Sequence, residues 1–380
     1  MPTLIEAIKK SGGAVNRGGL PLHFGDPEVE ETALRESAGL SPNTWRGVIE
    51  IAGKDRVKFL HNVTTNDVFK LVAGRGGDSI GKDEKLDLAK TPSGLGQFTV
   101  VPNRQGKMVA DGKLRFFEDR AWLEIDRGSM TMTLTTLGGM IVSEDVQIKD
   151  RSKELDVLRV DGPKARDVVS QALGTVPDLA DVHFTMLGEV AVSPFAPFAV
   201  PGYDLICPVA ETATVWAKLV AAGAKPAGFF ALETMRVENG FPRWFADMDG
   251  TVLPMEAGLE PIAISYSKGC YLGQEIIQRV KTYSEAPRAL VQVLLDARAP
   301  TKEGGQVPAP NPGTTVLVDG LAVGKVTSLA WSRKSQGLVA LAMIRKEHKA
   351  PGTKLTLDAG AIQYTGKTAP LPWLAKHATA

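Results

Sequence analysis

A strand, a glycine turn and a helix occur twice in this 380-residue chain, at residues 47–63 and again at 155–173. The first copy runs from Gly47-Val-Ile-Glu-Ile-Ala-Gly53 into a helix from Asp55 to Val63, with Val57, Phe59 and Leu60 as its apolar residues. The second runs from Leu155-Asp-Val-Leu-Arg-Val160 through Gly162-Pro163 into a helix ending at Leu173. An apolar strand turned by glycine into a helix lays that helix back on a sheet, so each copy predicts a mixed α/β or α+β layer. The echo implies a second half built like the first. After Ala289 the texture changes to short strands at 290–295, 315–318, 322–328, 338–343 and 354–357, with Asp319-Gly320 as a hairpin turn. Such strands hide their edges most simply in a small closed or partly closed barrel.

Helices are predicted near residues 3–10, 28–38, 129–140, 211–222 and 229–237, and strands at 97–101, 108–117, 121–125, 144–148 and 202–206. Residues 74–96 read as an exposed loop or flap, and Pro300 to Pro312 as a loop within the barrel module. Residues 243–258 form an irregular acidic and aromatic connector of the kind that lines a site. The expected domains are 1–150, 151–285 and 286–380.

A composition of 43% hydrophobic and 23% charged residues can bury several cores and excludes overall disorder. No apolar run approaches the roughly 20 residues of a membrane helix, and no secretory leader opens the chain. Two cysteines cannot build a disulfide framework, and the five histidines lack ligand spacing to them. The expectation is a reduced, cytoplasmic protein without a bound metal. Net charge is +1, yet residues 281–380 carry +7 and the rest −6. That asymmetry fits a solvated basic face, or an acidic partner or polyanionic ligand tail near the C-terminal part. No basic run with interleaved aromatics points to direct nucleic-acid contact.

Chemistry concentrates in Ser267-Lys-Gly-Cys-Tyr-Leu-Gly-Gln-Glu-Ile-Ile-Gln-Arg279. Gly269 and Gly273 permit positive φ and close backbone approach, and Gln274 to Val280 predicts a short amphipathic helix on which Glu275 and Arg279 can pair. Cys270 precedes that helix, two residues from Lys268, so a helix N-terminus and a cation would both lower its pKa. Equally, a free cysteine serves as a small buried hydrophobe. Asp111 lies among strand residues, where a carboxylate commonly faces solvent. Asp204, beside Tyr203 at a strand start, suits either a planar hydrogen-bonding ligand or a turn. Arg236, near a helix end with Glu238, suits a structural role.

Lys268-Gly269-Cys270-Tyr271-x-Gly273-Gln274-Glu275, followed by Arg279, resembles the signature of the folate-binding YgfZ family, relatives of the glycine-cleavage aminomethyltransferase. Further likenesses at 30–40, 47–67, 162–163, 202–204, 233–240, 254–259 and 324–328 fall in family order. The resemblance implies an aminomethyltransferase-like α+β fold, with two related α/β domains and a C-terminal β-barrel around a central folate channel. It implies tetrahydrofolate or a one-carbon derivative as cofactor, and a role in assembly or repair of iron–sulfur enzymes, tRNA-modifying ones included. Iron–sulfur proteins would be the partners, and a monomer is the expected state.

Carried over by residue, Asp204 stands where the family has a Glu that grips the pterin edge, with Tyr203 beside it. Asp111 stands where the aminomethyltransferase has adjacent aspartates, its neighbour here being Ala110. Arg236 and Glu238 match an element that shapes the channel. The transferase does not need a cysteine at position 270, so Cys270 points to the branch without glycine-cleavage activity. The alternative is a tetrahydrofolate-dependent one-carbon transferase with Asp111 aiding proton movement. A thiol enzyme unrelated to folate would need His183 or His61 brought to Cys270 as a base.

Overall fold

The computed structural model describes residues 3–73, 94–296, 310–360 and 362–377. In chain order it runs α1 (Leu4–Lys10), a ribbon of β1 (Ala14–Val15) and β2 (Pro21–His23), α2 (Pro27–Glu36), β3 (Gly39–Pro42), β4 (Arg46–Ala52), α3 (Arg56–Val63), α4 (Val68–Val72), β5 (Leu95–Pro102), β6 (Met108–Phe116), β7 (Arg120–Asp126), α5 (Met130–Gly138) and β8 (Gln147–Asp150). Then come β9 (Leu155–Asp161), α6 (Ala165–Leu173), β10 (Thr185–Leu187), β11 (Val190–Pro194), β12 (Gly202–Pro208), α7 (Val209–Ala221), β13 (Lys225–Pro226), α8 (Phe229–Asn239), α9 (Glu260–Ala263) and α10 (Gln274–Tyr283). The remainder is β14 (Arg288–Leu295), β15 (Thr315–Val318), β16 (Leu321–Ser332), β17 (Gly337–Arg345), β18 (Lys354–Asp358), β19 (Gln363–Ala369) and α11 (Pro372–His377). Two compact units result, one of residues 1–232 with 263–274, the other of 233–262 with 275–380.

Local chemistry sets the element ends. Thr3 and Glu6 form a reciprocal capping box at α1, and Asp26 caps α2 ahead of a proline at its first position. Gly53 and Gly162 take φ of 103° and 130° in the two strand–helix turns, a region open to glycine at little cost. The two sequence copies are β4–α3 and β9–α6.

Besides the β1-β2 ribbon, the described residues of the first unit form two sheets, ordered β5-β6-β7-β4-β8 and β10-β11-β12-β9-β3-β13. One face of the first packs Ile49, Leu114 and Leu123 against Val57 and Leu60 of α3 and Leu137 of α5. One face of the second packs Leu158, Val160 and Leu205 against Ile8 of α1, Val169 of α6 and Trp216 of α7. The remaining faces meet through Val48, Trp122, Val157 and Ile206. The layers therefore run helix, sheet, sheet, helix. Strand β3 lies beside β9 in the second sheet, carrying Leu40 into its core, although it precedes the first sheet in the chain.

In the second unit, β14-β17-β16-β15-β18-β19 close the expected barrel around Val293, Val316, Val326, Ala342 and Leu357. Asp319 and Gly320 turn its hairpin with φ of 48° and 78°. The expected strand at 144–148 lies instead at 147–150. The loops expected at 74–96 and 300–312 fall largely outside the described residues, with β5 already begun at Leu95.

Candidate functional site

The cysteine motif is docked onto the turn between α3 and α4. The hydroxyl of Thr65 donates to the Ala263 carbonyl at 2.6 Å and accepts from the Val100 amide at 3.0 Å. The amides of Ser265 and Leu272 donate to the carbonyls of Thr65 and Asn62, each at 3.0 Å. Lys268, 5% exposed, donates its ammonium to the carbonyls of His61, Thr64 and Asn66. The end of α3 leaves carbonyls without intrahelical partners, and the lysine supplies a donor and a positive charge there. Its ammonium also lies 4.7 Å from the ring centre of Tyr271.

Burial pulls the pKa of Lys268 down to about 7, with Asp67 opposing. Burial and then the charge of Lys268 pull His61 down to about 4, so the imidazole is neutral near pH 7. It stacks on Phe69 with ring centres 3.9 Å apart, and its Nδ1 is 3.5 Å from Asp67.

Several expectations for the motif change. Cys270 is an exposed thiol, so the reading as a small core hydrophobe falls. Lys268 turns its ammonium to backbone carbonyls, because three acceptors at a helix end outcompete a single thiol. Glu275 and Arg279 are both exposed and make no ion pair with each other, since an exposed pair gains little. Gly273 has φ of 75°, and a Cβ there would lie 2.3 Å from the Asn103 carbonyl oxygen, whereas Gly269 has open space around it and no positive φ. Gln274 ties the turn together by accepting from the Tyr271 amide at 3.3 Å.

A cleft of about 660 Å³ opens where the motif meets the α3–α4 turn, lined in part by Asn66, Asp67, Gln97, His183, Ser265 and Tyr266. Asn66 is fixed by its amide donating to the Phe98 carbonyl at 2.9 Å and its oxygen accepting from the Asp67 amide at 2.9 Å. The Gln97 side-chain amide nitrogen is buried with no partner among the described residues. A donor left unmatched by its own wall suits a ligand that brings an acceptor. Sequence reading did not single out Gln97, since an alternate residue of a strand gives no signal of its own.

Asp204 has a different task from the one expected. It is fully buried on β12, accepting from Lys113 at 2.5 Å, Arg115 at 3.4 Å and Arg159 at 2.7 Å. Both oxygens are engaged by cations of the fold, which leaves no free carboxylate edge for a pterin. Tyr203 points to the opposite face of β12 and packs against the helix-covered core. Asp111 is 5% exposed rather than solvent-facing, because β6 turns residues 111, 113 and 115 toward the second sheet. Burial pushes its pKa up, against the pull of Arg46. Lys113, Arg115 and Arg159 were not legible as site residues, since their partners lie on distant strands.

In the second unit, Arg236 forms a hub. It is ion-paired with Glu233 and Asp247 and donates to the Ser328 hydroxyl at 2.6 Å. Asp247 also accepts from Thr327 at 2.6 Å and Ser328 at 2.7 Å, so the connector at 243–258 is tied to barrel strand β16. Glu238 is half-buried, and its carbonyl accepts from Gln292 at 2.8 Å.

The chain matches the family model described as the GCVT N-terminal domain over residues 85–268, and that of the glycine cleavage T-protein C-terminal barrel domain over residues 288–374. A chloroplastic protein of Arabidopsis thaliana named as a transferase is 27% identical, over 98% of this chain and 80% of its own length. An aminomethyltransferase of Halalkalibacterium halodurans is 27% identical, over 97% of this chain and 96% of its own. The crystal structure of glycine cleavage system aminomethyltransferase T from Bartonella henselae shares the fold with a TM-score of 0.80 at 19% identity, covering 98% of each chain. This chain is a member of the aminomethyltransferase family, with that family's N-terminal domain, C-terminal barrel and fold.

Proposed function

We propose that this protein is a tetrahydrofolate-binding accessory factor of the YgfZ type, supporting assembly or repair of iron–sulfur enzymes, with Cys270 as the group that meets its partner. The observation that carries the reading is an exposed thiol in a segment clamped, through Lys268, to the wall of a polar cleft. A thiol offered to a partner has to be accessible and held in place, and this one is both. A cytoplasmic, reduced setting belongs to the proposal, since Cys207 and Cys270 are both free.

The cleft fits a folate. Its volume of about 660 Å³ is that of a small-molecule site, where about 300–1,000 Å³ is usual. Its wall combines amide, hydroxyl and carboxylate groups with the unmatched Gln97 donor. Bound tetrahydrofolate would supply ring nitrogens able to carry a one-carbon unit. Gln97 would donate to a ring acceptor, while Asn66, fixed by its own hydrogen bonds, would keep the wall rigid. The partner role is tested in cells lacking the gene. Activity of iron–sulfur tRNA-modifying enzymes should fall, recover with the parent chain and stay low with Cys270→Ala. Normal activity in the gene's absence refutes it.

One observation favours a second reading, one-carbon transfer onto tetrahydrofolate. Asp111 is a buried carboxyl whose pKa burial raises, the direction that proton transfer by a carboxyl calls for. Folate-dependent transfer from an aminomethyl or N-methyl donor, abolished in Asp111→Asn, would establish it, and silence across a donor panel would set it aside.

A further inference from the structure

The histidine of the cleft is delivered by strained backbone. Val182 has φ of 67°, a region costly for a β-branched side chain. Such an outlier persists only where its surroundings over-determine it, and it marks places where a side chain has to be aimed. The Val182 amide donates to the Pro194 carbonyl at 2.8 Å, the His183 amide to that of Ala180 at 3.0 Å, and the Phe184 amide to that of Gly94 at 2.8 Å. Val182 and Phe184 are both buried, and the Phe184 ring centre lies 4.7 Å from that of Phe117.

The start of β5 is shaped to receive this segment. A Cβ on Gly96 would lie 2.2 Å from the Val182 carbonyl oxygen, and one on Gly94 would lie 2.9 Å from that of Phe184. Glycine at both positions lets the two backbones approach so closely. With its neighbours Val182 and Phe184 sunk in the core, His183 is turned to the cleft, which Leu95 and Gln97 line from the same stretch of β5.

What reaches the cleft is an unspent imidazole. His183 is half-buried, and its ring makes no hydrogen bond or ion pair among the described residues. Burial lowers its pKa, so at pH 7 the ring is neutral, with one N–H and one bare lone pair. Gln97 supplies the complement, an amide nitrogen buried without an acceptor. The carboxylate of the cleft, Asp67, is already engaged by the Lys70 amide at 3.0 Å and by His61 at 3.5 Å. We propose that His183 sets the specificity of this cleft, its bare imidazole nitrogen accepting from a ligand N–H while Gln97 donates to a ligand carbonyl. The ligand class is a neutral nitrogen heterocycle with both groups on one edge, as the amide edge of a pterin has. The strain at Val182 then serves to aim the ring. This assignment rests on the folate reading above and goes further by naming the residue that discriminates.

Nitrogen NMR of the full chain with isotope-labelled histidine at pH 7 tests it, with folinic acid, a stable reduced folate, as the probe. The signal missing from His183→Asn identifies the ring. At saturation the lone-pair nitrogen of His183 should move upfield, and calorimetry should show His183→Leu binding the probe about tenfold more weakly than the parent. Saturable binding that leaves the His183 signal unmoved, or that is equally tight in His183→Leu, overturns the assignment and leaves the folate reading standing. No saturable binding by the parent overturns both. Should His183→Leu fail to fold, the parent spectra still decide it.

Discussion

Gly269 and Gly273 stand four residues apart in one motif, yet only the second needs to be glycine. At Gly273 the backbone is left-handed and a Cβ would press on the Asn103 carbonyl. Gly273→Ala should therefore cost about 2–4 kcal/mol of stability, combining the strained φ with the overlap. Gly269→Ala should stay within about 0.5 kcal/mol. Urea unfolding of both variants checks the contrast, and equal effects would mean the turn is not held as described. His61 gives a pH signature. Its folded pKa of about 4 lies below its unfolded value, so its share of stability is complete above the unfolded pKa of about 6.5 and drains away as pH falls toward 4. The full span is worth at most about 3 kcal/mol. Unfolding measured at pH 7 and pH 4.5 should show a smaller acid loss in His61→Gln than in the parent; an identical loss would contradict a neutral buried imidazole.

At the scale of elements, one lysine joins the cysteine segment to the end of α3. Lys268→Met leaves three carbonyls without their donor, a loss of about 2 kcal/mol. Amide hydrogen exchange at Ser265 and Leu272, which bond to the same turn, should speed up, whereas unchanged exchange would show that the lysine is incidental to docking. Between the sheets, Asp204→Ala removes the buried carboxylate shared by Lys113, Arg115 and Arg159, leaving Glu124 and Asp161 as their remaining acids, and should destabilise the chain by about 3–5 kcal/mol. Calorimetric melting with little change would contradict the ion network. The sequence made α3, β6, β12 and α10 legible because apolar periodicity and glycine stops mark elements locally. It could not show that Lys268 would meet His61 or that Asp204 would meet Lys113, since those pairings depend on register between distant strands and segments. For the same reason the carboxylate expected to read a pterin proved to be part of the fold's own charge layer.

Across the whole molecule, the doubled strand–helix unit and the change of texture after Ala289 were enough to foresee mixed α/β layers and a terminal barrel. Several short elements escaped, β10 and β11 among them, and two show why. Strand β3 crosses into the second sheet, a choice made by packing of Leu40 rather than by any local signal. Strand β19 turns Gly366 and Thr368 inward, so it lacks the apolar alternation that marks a strand. The central proposal is that the cleft lined by Asn66, Gln97 and Ser265 takes a reduced folate. Calorimetric titration of the parent, Gln97→Leu and Cys270→Ala with tetrahydrofolate tests it most directly. Saturable binding by the parent, about tenfold weaker in Gln97→Leu through loss of one hydrogen bond and unchanged in Cys270→Ala, is the predicted result. No saturable binding by the parent, or equal affinity in Gln97→Leu, would contradict it.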